Sequence, residues 1–294
     1  MQQPIISQAK ARPIERPQNT VSGVLCRVLR DLVILFFLVV NLFPLVWVVT
    51  SSFKTNREIL DYALSLPSTF SFKNYLRVFE EPNMLLSFLN SGITVVLSVA
   101  LNTAVCYMAA YTINRYRFRW LTVLLTVVSF GLLIPINSAL LPIKLVMDGL
   151  GLTNSVAGLS VLYAAIQIPI SVMILQSHIA GIPREIDEAA AIDGASPWTI
   201  SVRIVAPIAQ PALVTIVILQ AVYSWNDFLY AMTLISDQSR KTVQVITRNF
   251  LGLFQTNYGA LFASVVLAII PMVVLFVLFQ NRVIEAFTSG SIKQ

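Results

Sequence analysis

Four carboxylates crowd one short stretch of this chain. Glu185, Asp187, Glu188 and Asp193 stand among Ala189, Ala190, Ala191, Gly194 and Ala195, and Pro207 and Pro211 follow. The stretch is polar and helix-prone, and it lies between two long apolar runs. Carboxylates at Asp187 and Glu188 can bond an arginine or lysine on a partner. The small Ala189 and Ala190 let a partner surface come close. The same residues also suit a plain linker between two apolar spans, and spacing alone leaves both readings open. Other chemistry has little to rest on. His178 is the single histidine, and Cys26 and Cys106 are the two cysteines. Zinc, haem and a disulfide framework all need clustered residues that this pattern lacks.

A second set of polar residues lies within the apolar runs. Asp227 is the one acid there. At about 100° per residue, Gln220, Tyr223, Ser224, Asp227 and Tyr230 share one helix face. Ser160, Tyr163, Gln167 and Ser171 make a similar stripe on the preceding run. Such groups are costly in lipid and turn to the bundle interior. Tyr163, Gln167, Gln220, Tyr223, Ser224, Asp227 and Tyr230 are therefore candidates to line a path for a polar solute. They also suit hydrogen bonds to neighbouring helices, worth about 1 kcal/mol or less each. A proton relay needs a second titratable group, and none accompanies Asp227. Ser91, Thr94, Ser98 and Asn102 form a small-residue stripe that reads as close helix packing.

The elements that position these residues follow from composition. The chain has 294 residues, 56% hydrophobic and 12% charged, whereas soluble domains carry roughly 25% charged residues. That leaves too little polar surface for a globule in water and points to an integral membrane protein. The net charge of +6 is scattered between apolar runs, so nucleic acid is not an expected partner. Residues 1–23 are polar and proline-rich, and read as a disordered tail, not a cleavable signal peptide.

Six runs are long enough to span: 32–53, 91–113, 120–141, 155–177, 211–235 and 259–280. Lipid offers no partners to backbone N–H and C=O groups, so these runs must be helices. They are too long and continuous for barrel strands. Six spans place both termini on one side. With those termini in the cytoplasm, 12 of the 20 Lys and Arg fall on the cytoplasmic side, including the triad Arg115, Arg117 and Arg119. That bias favours this orientation and puts the 183–211 stretch in the cytoplasm. On the other side, Phe72, Tyr75, Leu76 and Phe79 recur at helical spacing. They predict a short amphipathic helix at the interface, or else a loop with scattered aromatics.

Within 183–211, Pro183 suits the first helical position. Glu185, Asp187 and Glu188 then complement the helix dipole, and the alanine run favours helix. Gly194 suits the left-handed residue that stops a helix. Ser196 as N-cap and Pro197 after it restart one. The result is a helix, a sharp glycine turn and a second helix, with Pro207 and Pro211 leading into the next span.

This pattern resembles a known family. Glu188-Ala189-Ala190, then Asp193-Gly194-Ala195, then Pro207 and Pro211, resembles the EAA loop of permease subunits of binding-protein-dependent ABC importers. Asn90-Ser91, the Tyr111–Phe118 segment, Ile134-Pro135, Gly149-Leu150-Gly151-Leu152, Trp225-Asn226-Asp227-Phe228-Leu229 and the Gly290–Lys293 ending are similar to the carbohydrate-uptake branch, the maltose-type second permease family. The resemblance covers about residues 24–294. It implies an all-α integral membrane protein of the type I ABC importer permease fold, with six transmembrane helices and a cytoplasmic coupling helix. It implies that Glu188, Ala189, Ala190, Asp193, Gly194, Ala195, Pro207 and Pro211 couple the chain to a cytoplasmic ATPase. The implied partners are a second, similar permease, two ATP-binding subunits and an extracytoplasmic sugar-binding protein, in a bacterial inner membrane.

The chain has no G-x-x-x-x-G-K-[ST] phosphate loop, so it cannot hold ATP by that route. No cofactor is expected on this chain, and ATP and Mg would sit on the partner ATPases. The expected role is a non-catalytic transport subunit. An ion-coupled secondary transporter is the alternative, and it predicts paired intramembrane acids or broken spans in matching halves. An intramembrane enzyme would need paired catalytic groups, which Asp227 and His178 on separate segments do not supply.

Overall fold

Apolar runs that must satisfy their own backbone become helices, and helix dominates the computed structural model. It describes residues 21–116, 119–133, 135–252 and 256–291. Most of the expected tail (residues 1–20), Arg117, Phe118, Ile134 and Lys293 lie outside the described residues.

In chain order the helices are α1 (Val21–Ser51), α2 (Asn56–Asp61), α3 (Lys73–Glu80), α4 (Met84–Arg115), α5 (Arg119–Phe130), α6 (Leu140–Gly149), α7 (Val156–Ile166) and α8 (Ile168–Ala180). There follow α9 (Glu185–Ile192), α10 (Pro197–Thr199), a π-helical turn (Ile200–Val205), α11 (Ala206–Ile208), α12 (Gln210–Asn226), α13 (Leu229–Leu234), α14 (Val243–Thr247) and α15 (Tyr258–Ser291).

Among the described residues, stretches of α1, α4 and α15 are long and apolar enough to cross a membrane unbroken, and bent pairs raise the number to as many as six. The runs 120–141, 155–177 and 211–235, each expected as one helix, are broken. Proline is the common cause, because it lacks a donor and clashes with the preceding turn. The first run gives way around Pro135, and its second arm continues to Gly149. The second bends by 49° at Gln167, just before Pro169. The third breaks at Asp227-Phe228 without proline. There Asp227 turns extended, and its carboxylate accepts the Tyr230 and Ala231 amides at 3.1 Å, starting α13.

Helix α4 is the axis of the bundle. Its small and polar residues recur at i+3 and i+4, and Ser87, Ser91, Thr94, Ser98, Asn102 and Cys106 are all buried. Small side chains let helices approach, and hydroxyls and amides bond across the contact. Ser98 Oγ lies 2.7 Å from Ser224 Oγ on α12, and Asn102 Nδ2 donates to the Ala164 carbonyl on α7 at 2.9 Å. The opposite face of α4, with Leu89, Ile93 and Val96, is exposed. By contrast α1 is exposed along most of its length and meets α15 through an edge-on Trp47–Phe262 contact at 5.0 Å.

The 72–79 pattern does form a helix, α3, seated by Tyr75 of that stripe, whose hydroxyl lies 2.7 Å from Ser52 Oγ, together with Val78. Val78 is buried against the α15 side, while Phe72, Leu76 and Phe79 remain exposed. The segment before it is polar and locally self-satisfied. Thr55 and Glu58 form a capping box on α2. Bonds from the Ser68 hydroxyl and from the Thr55 and Ser68 amides hold the Glu58 carboxyl well below its ordinary value, at about 2. Lys54 is buried at the end of α1, and its ammonium donates to the Ala63 carbonyl at 3.0 Å.

Candidate functional site

Helix α9 carries Glu185, Asp187 and Glu188 in its first turn, where the helix dipole favours negative charge. Pro183 does not open it. The helix begins at Glu185 with Arg184 as N-cap, and Arg184 contributes no side-chain cap bond. The Arg184 guanidinium is instead drawn away to the Asn114 carbonyl at the end of α4.

The stop is a Schellman motif. The Ala195 amide donates to the Ala190 carbonyl at 2.9 Å, and the Gly194 amide to the Ala191 carbonyl at 3.0 Å. Gly194 has φ +84°, a conformation glycine adopts at little cost. Ser196 then caps α10, accepting from the Thr199 amide at 3.2 Å, with Pro197 behind it. The return arm runs through the π-helical turn to Pro207 and Pro211. Two missing donors four residues apart leave the ladder unsupported there. Segment 197–208 accordingly meets α12 at 78°.

The motif residues divide by exposure. Glu188, Ala189, Asp193, Gly194, Pro207 and Pro211 are exposed, whereas Ala190 and Ala195 are half-buried against the bundle. Two further residues complete the exposed surface. Ile192 is 87% exposed and Trp198 65% exposed, so the tip is acidic and apolar at once. Motif reading passed over both. The available signal was phase, since Ile186 and Ala190 face inward one turn apart and Ile192 falls outside that stripe.

The loop is held to α4 by polar contacts. Arg115 Nε lies 2.7 Å from Asp187 Oδ2, with side-chain exposures of 8% and 16%. The Tyr107 hydroxyl donates to the Ser201 carbonyl in the π-helical turn at 2.6 Å. Asp187 was grouped with Glu188 as a carboxylate for a partner. The structure uses it inside the chain.

The candidate path-lining set is also divided. Tyr163, Gln220, Ser224 and Tyr230 are buried within this chain, which removes them from any accessible surface. Gln220 Nε2 donates to Ser224 Oγ at 2.8 Å, and Ser224 in turn meets Ser98. The Tyr163 hydroxyl donates to Asp227 Oδ2, and that of Tyr230 to the Ile136 carbonyl, both at 2.6 Å. The reason is energetic: a polar group in lipid gains most where a partner on a neighbouring helix is in reach. Gln167, Tyr223 and Asp227 keep partial exposure. Trp225 donates its indole N–H to the Ala268 carbonyl on α15 at 3.0 Å.

A model of the binding-protein-dependent transport system inner membrane component family matches residues 102–288. The chain belongs to that family. This permease is 32% identical over 260 residues to the diacetylchitobiose uptake system permease protein NgcG of Streptomyces coelicolor, across 87% of the chain and 85% of the relative. It is 31% identical over 256 residues to the multiple sugar-binding transport system permease protein MsmG of Streptococcus mutans, across 86% and 92%. Its fold matches a chain of a bacterial ABC transporter involved in import of the acidic polysaccharide alginate, with a TM-score of 0.79 at 21% identity, over 90% of the permease and 99% of that chain. The likeness shows the type I ABC importer permease fold.

Proposed function

We propose that this permease forms half of the membrane path of an ATP-driven carbohydrate importer, for solutes of oligosaccharide size. We assign the exposed tip of α9 and α10 as its docking surface for a separate ATPase. The observation that carries this is the exposure of Glu188, Ala189, Ile192, Asp193 and Trp198 on α9 and α10, on either side of the Gly194 stop. Apolar anchors beside charged groups are what a protein partner buries. The diacetylchitobiose and multiple-sugar relatives support the substrate class.

In this reading both termini and the 183–211 loop face the cytoplasm. A second permease completes the path, two ATPase subunits carry ATP and Mg, and an extracytoplasmic protein delivers the sugar. The chain itself catalyses nothing. ATP binding closes the ATPase pair, displaces α9 and turns the bundle outward, and hydrolysis resets it. Gln167, Tyr223 and Asp227 remain the path-facing candidates, while Tyr163, Gln220, Ser224 and Tyr230 brace the frame behind them.

Co-purification tests the assembly. The permease is expected to bring down two kinds of partner, a second permease and an ATPase carrying a phosphate loop. Hydrolysis by the reconstituted complex is expected to rise with a loaded sugar-binding protein. Recovery of the permease without any ATPase, together with ion-gradient-driven uptake, would overturn it.

A further inference from the structure

The α9 loop is covalently joined to α8 and α12, yet the side-chain contacts that tie it to the bundle go to α4. Arg115, the last residue of α4, meets Asp187 at 2.7 Å and donates to the Ile182 carbonyl at 3.3 Å. Arg184, before α9, reaches back to the Asn114 carbonyl. On the return arm Tyr107 holds Ser201. The other ion pairs among the described residues, Arg30–Asp31, Arg57–Asp61 and Arg240–Asp237, are exposed and join near neighbours in sequence. Exposed pairs of that kind contribute little. The Arg115–Asp187 pair is buried and joins two elements, so solvent screens it less and losing one partner strands a charge.

The far end of α4 is gripped in the same way. Asn90 Nδ2 donates to the Ser239 and Lys241 carbonyls at 2.9 and 3.1 Å, and Ser91 Oγ accepts the Val243 amide at 2.9 Å. Both grips lie on one unbroken helix of 32 residues, and the stretch from Asn90 to Arg115 spans about 38 Å at 1.5 Å per residue.

We propose that Arg115 and Asp187 form a strut that makes α4, and not the covalently attached α8 or α12, the rod carrying displacement of α9 to the 238–243 segment at the opposite face. The inference rests on α9 being the ATPase docking surface. Arg115 and Asp187 are positioning residues that act through α4 without touching ATP or sugar.

The test uses the complex with its co-purified ATPase, with Cys26 and Cys106 replaced by alanine. A fluorophore on Leu85→Cys reports the far end of α4, where Leu85 is exposed. A thiol-to-amine cross-linker on Ala191→Cys, an exposed position beside the docking residues, reports docking. In the parent complex, trapping with Mg-ATP and vanadate is expected to change the fluorophore's emission. The neutral double variant Arg115→Met/Asp187→Leu strands no charge, and it is expected to keep cross-linking and ATP hydrolysis. Its emission change is expected to fall at least about five-fold. The charge swap Arg115→Asp/Asp187→Arg is expected to restore it. An undiminished emission change in the double variant overturns the strut and leaves docking intact. Loss of the cross-link in that variant also overturns it, because the pair then only shapes the docking surface. Absence of the cross-link in the parent overturns docking itself, and the strut with it.

Discussion

At one end of the bundle, α9 and α10 hold Glu188, Asp193, Ile192 and Trp198 in the open. In its middle, Gln220, Ser224, Tyr163 and Tyr230 are closed off by α4, α7 and α12. Both sets are unusual in a lipid-soluble chain. They differ in whether a partner lies within the chain's own reach. Ser224 finds Ser98 at 2.7 Å and Tyr163 finds Asp227 at 2.6 Å, so these two are partnered within the chain. The exposed surface of Glu188 and Trp198 has no such cover among the described residues. Polar character in a membrane chain therefore marks either internal glue or an interface, and accessible surface distinguishes them.

The comparison breaks most readily at Glu188. Glu188→Lys is expected to preserve membrane insertion while lowering ATPase association and ATP-driven uptake by more than about ten-fold. Wild-type uptake in that variant would make α9 a plain linker. Next comes Trp198→Ala, which removes a large exposed apolar anchor. It is expected to weaken association with the ATPase by about 2 kcal/mol, or about thirty-fold in dissociation constant, measured by titrating purified components. An unchanged affinity would confine docking to the acidic residues.

Two variants with effects near 1 kcal/mol probe the interior and the turn. Gln220→Ala is expected to lower thermal stability of the detergent-solubilised complex by about 1 kcal/mol and to leave sugar preference unaltered. A change in sugar preference would return Gln220 to the path. Gly194→Ala meets no steric obstacle but must hold φ +84°, which costs about 1 kcal/mol. Faster amide exchange across 189–195 would report it.

The smallest effect concerns a control, an exposed polar cluster with a purely local role. Glu58 is held at about 2 against an ordinary 4.5 by Ser68 and Thr55. A lowered folded-state pKa contributes stability that is full above about pH 4.5 and is lost as pH falls towards 2. Amide protection of α2 is expected to follow that curve, and Glu58→Gln to abolish the dependence. A flat profile in the parent protein would deny the capping box its role.

Much of this architecture is readable from local pattern. The Gly194 stop and the Ser196 cap follow from backbone preference within a few residues, and α4's small-residue stripe from helical period. The helix at 72–79 was legible too, but its seating only in part, because Val78, outside the aromatic stripe, joins Tyr75 against the α15 side. The breaks at Gln167 and Asp227 were missed for a related reason. Apolar content sets whether a segment can enter lipid, while the exact point of breakage depends on which backbone groups find replacement partners. Lys54 follows the first apolar run as an ordinary flanking cation would, yet the Tyr62 and Ala63 carbonyls enclose it.

Composition and period alone determined that the chain is a helical membrane protein, and the Glu188–Pro211 pattern determined where it projects a capped helix. Both are set by lipid's lack of hydrogen-bonding partners and by short-range backbone preference. Tertiary structure alone decided that Asp187 turns inward to Arg115 while Glu188 faces out, and that Ser224, bonded by Gln220, meets Ser98 of α4. Those contacts join residues 72 and 126 positions apart, whose distance in space no local rule encodes.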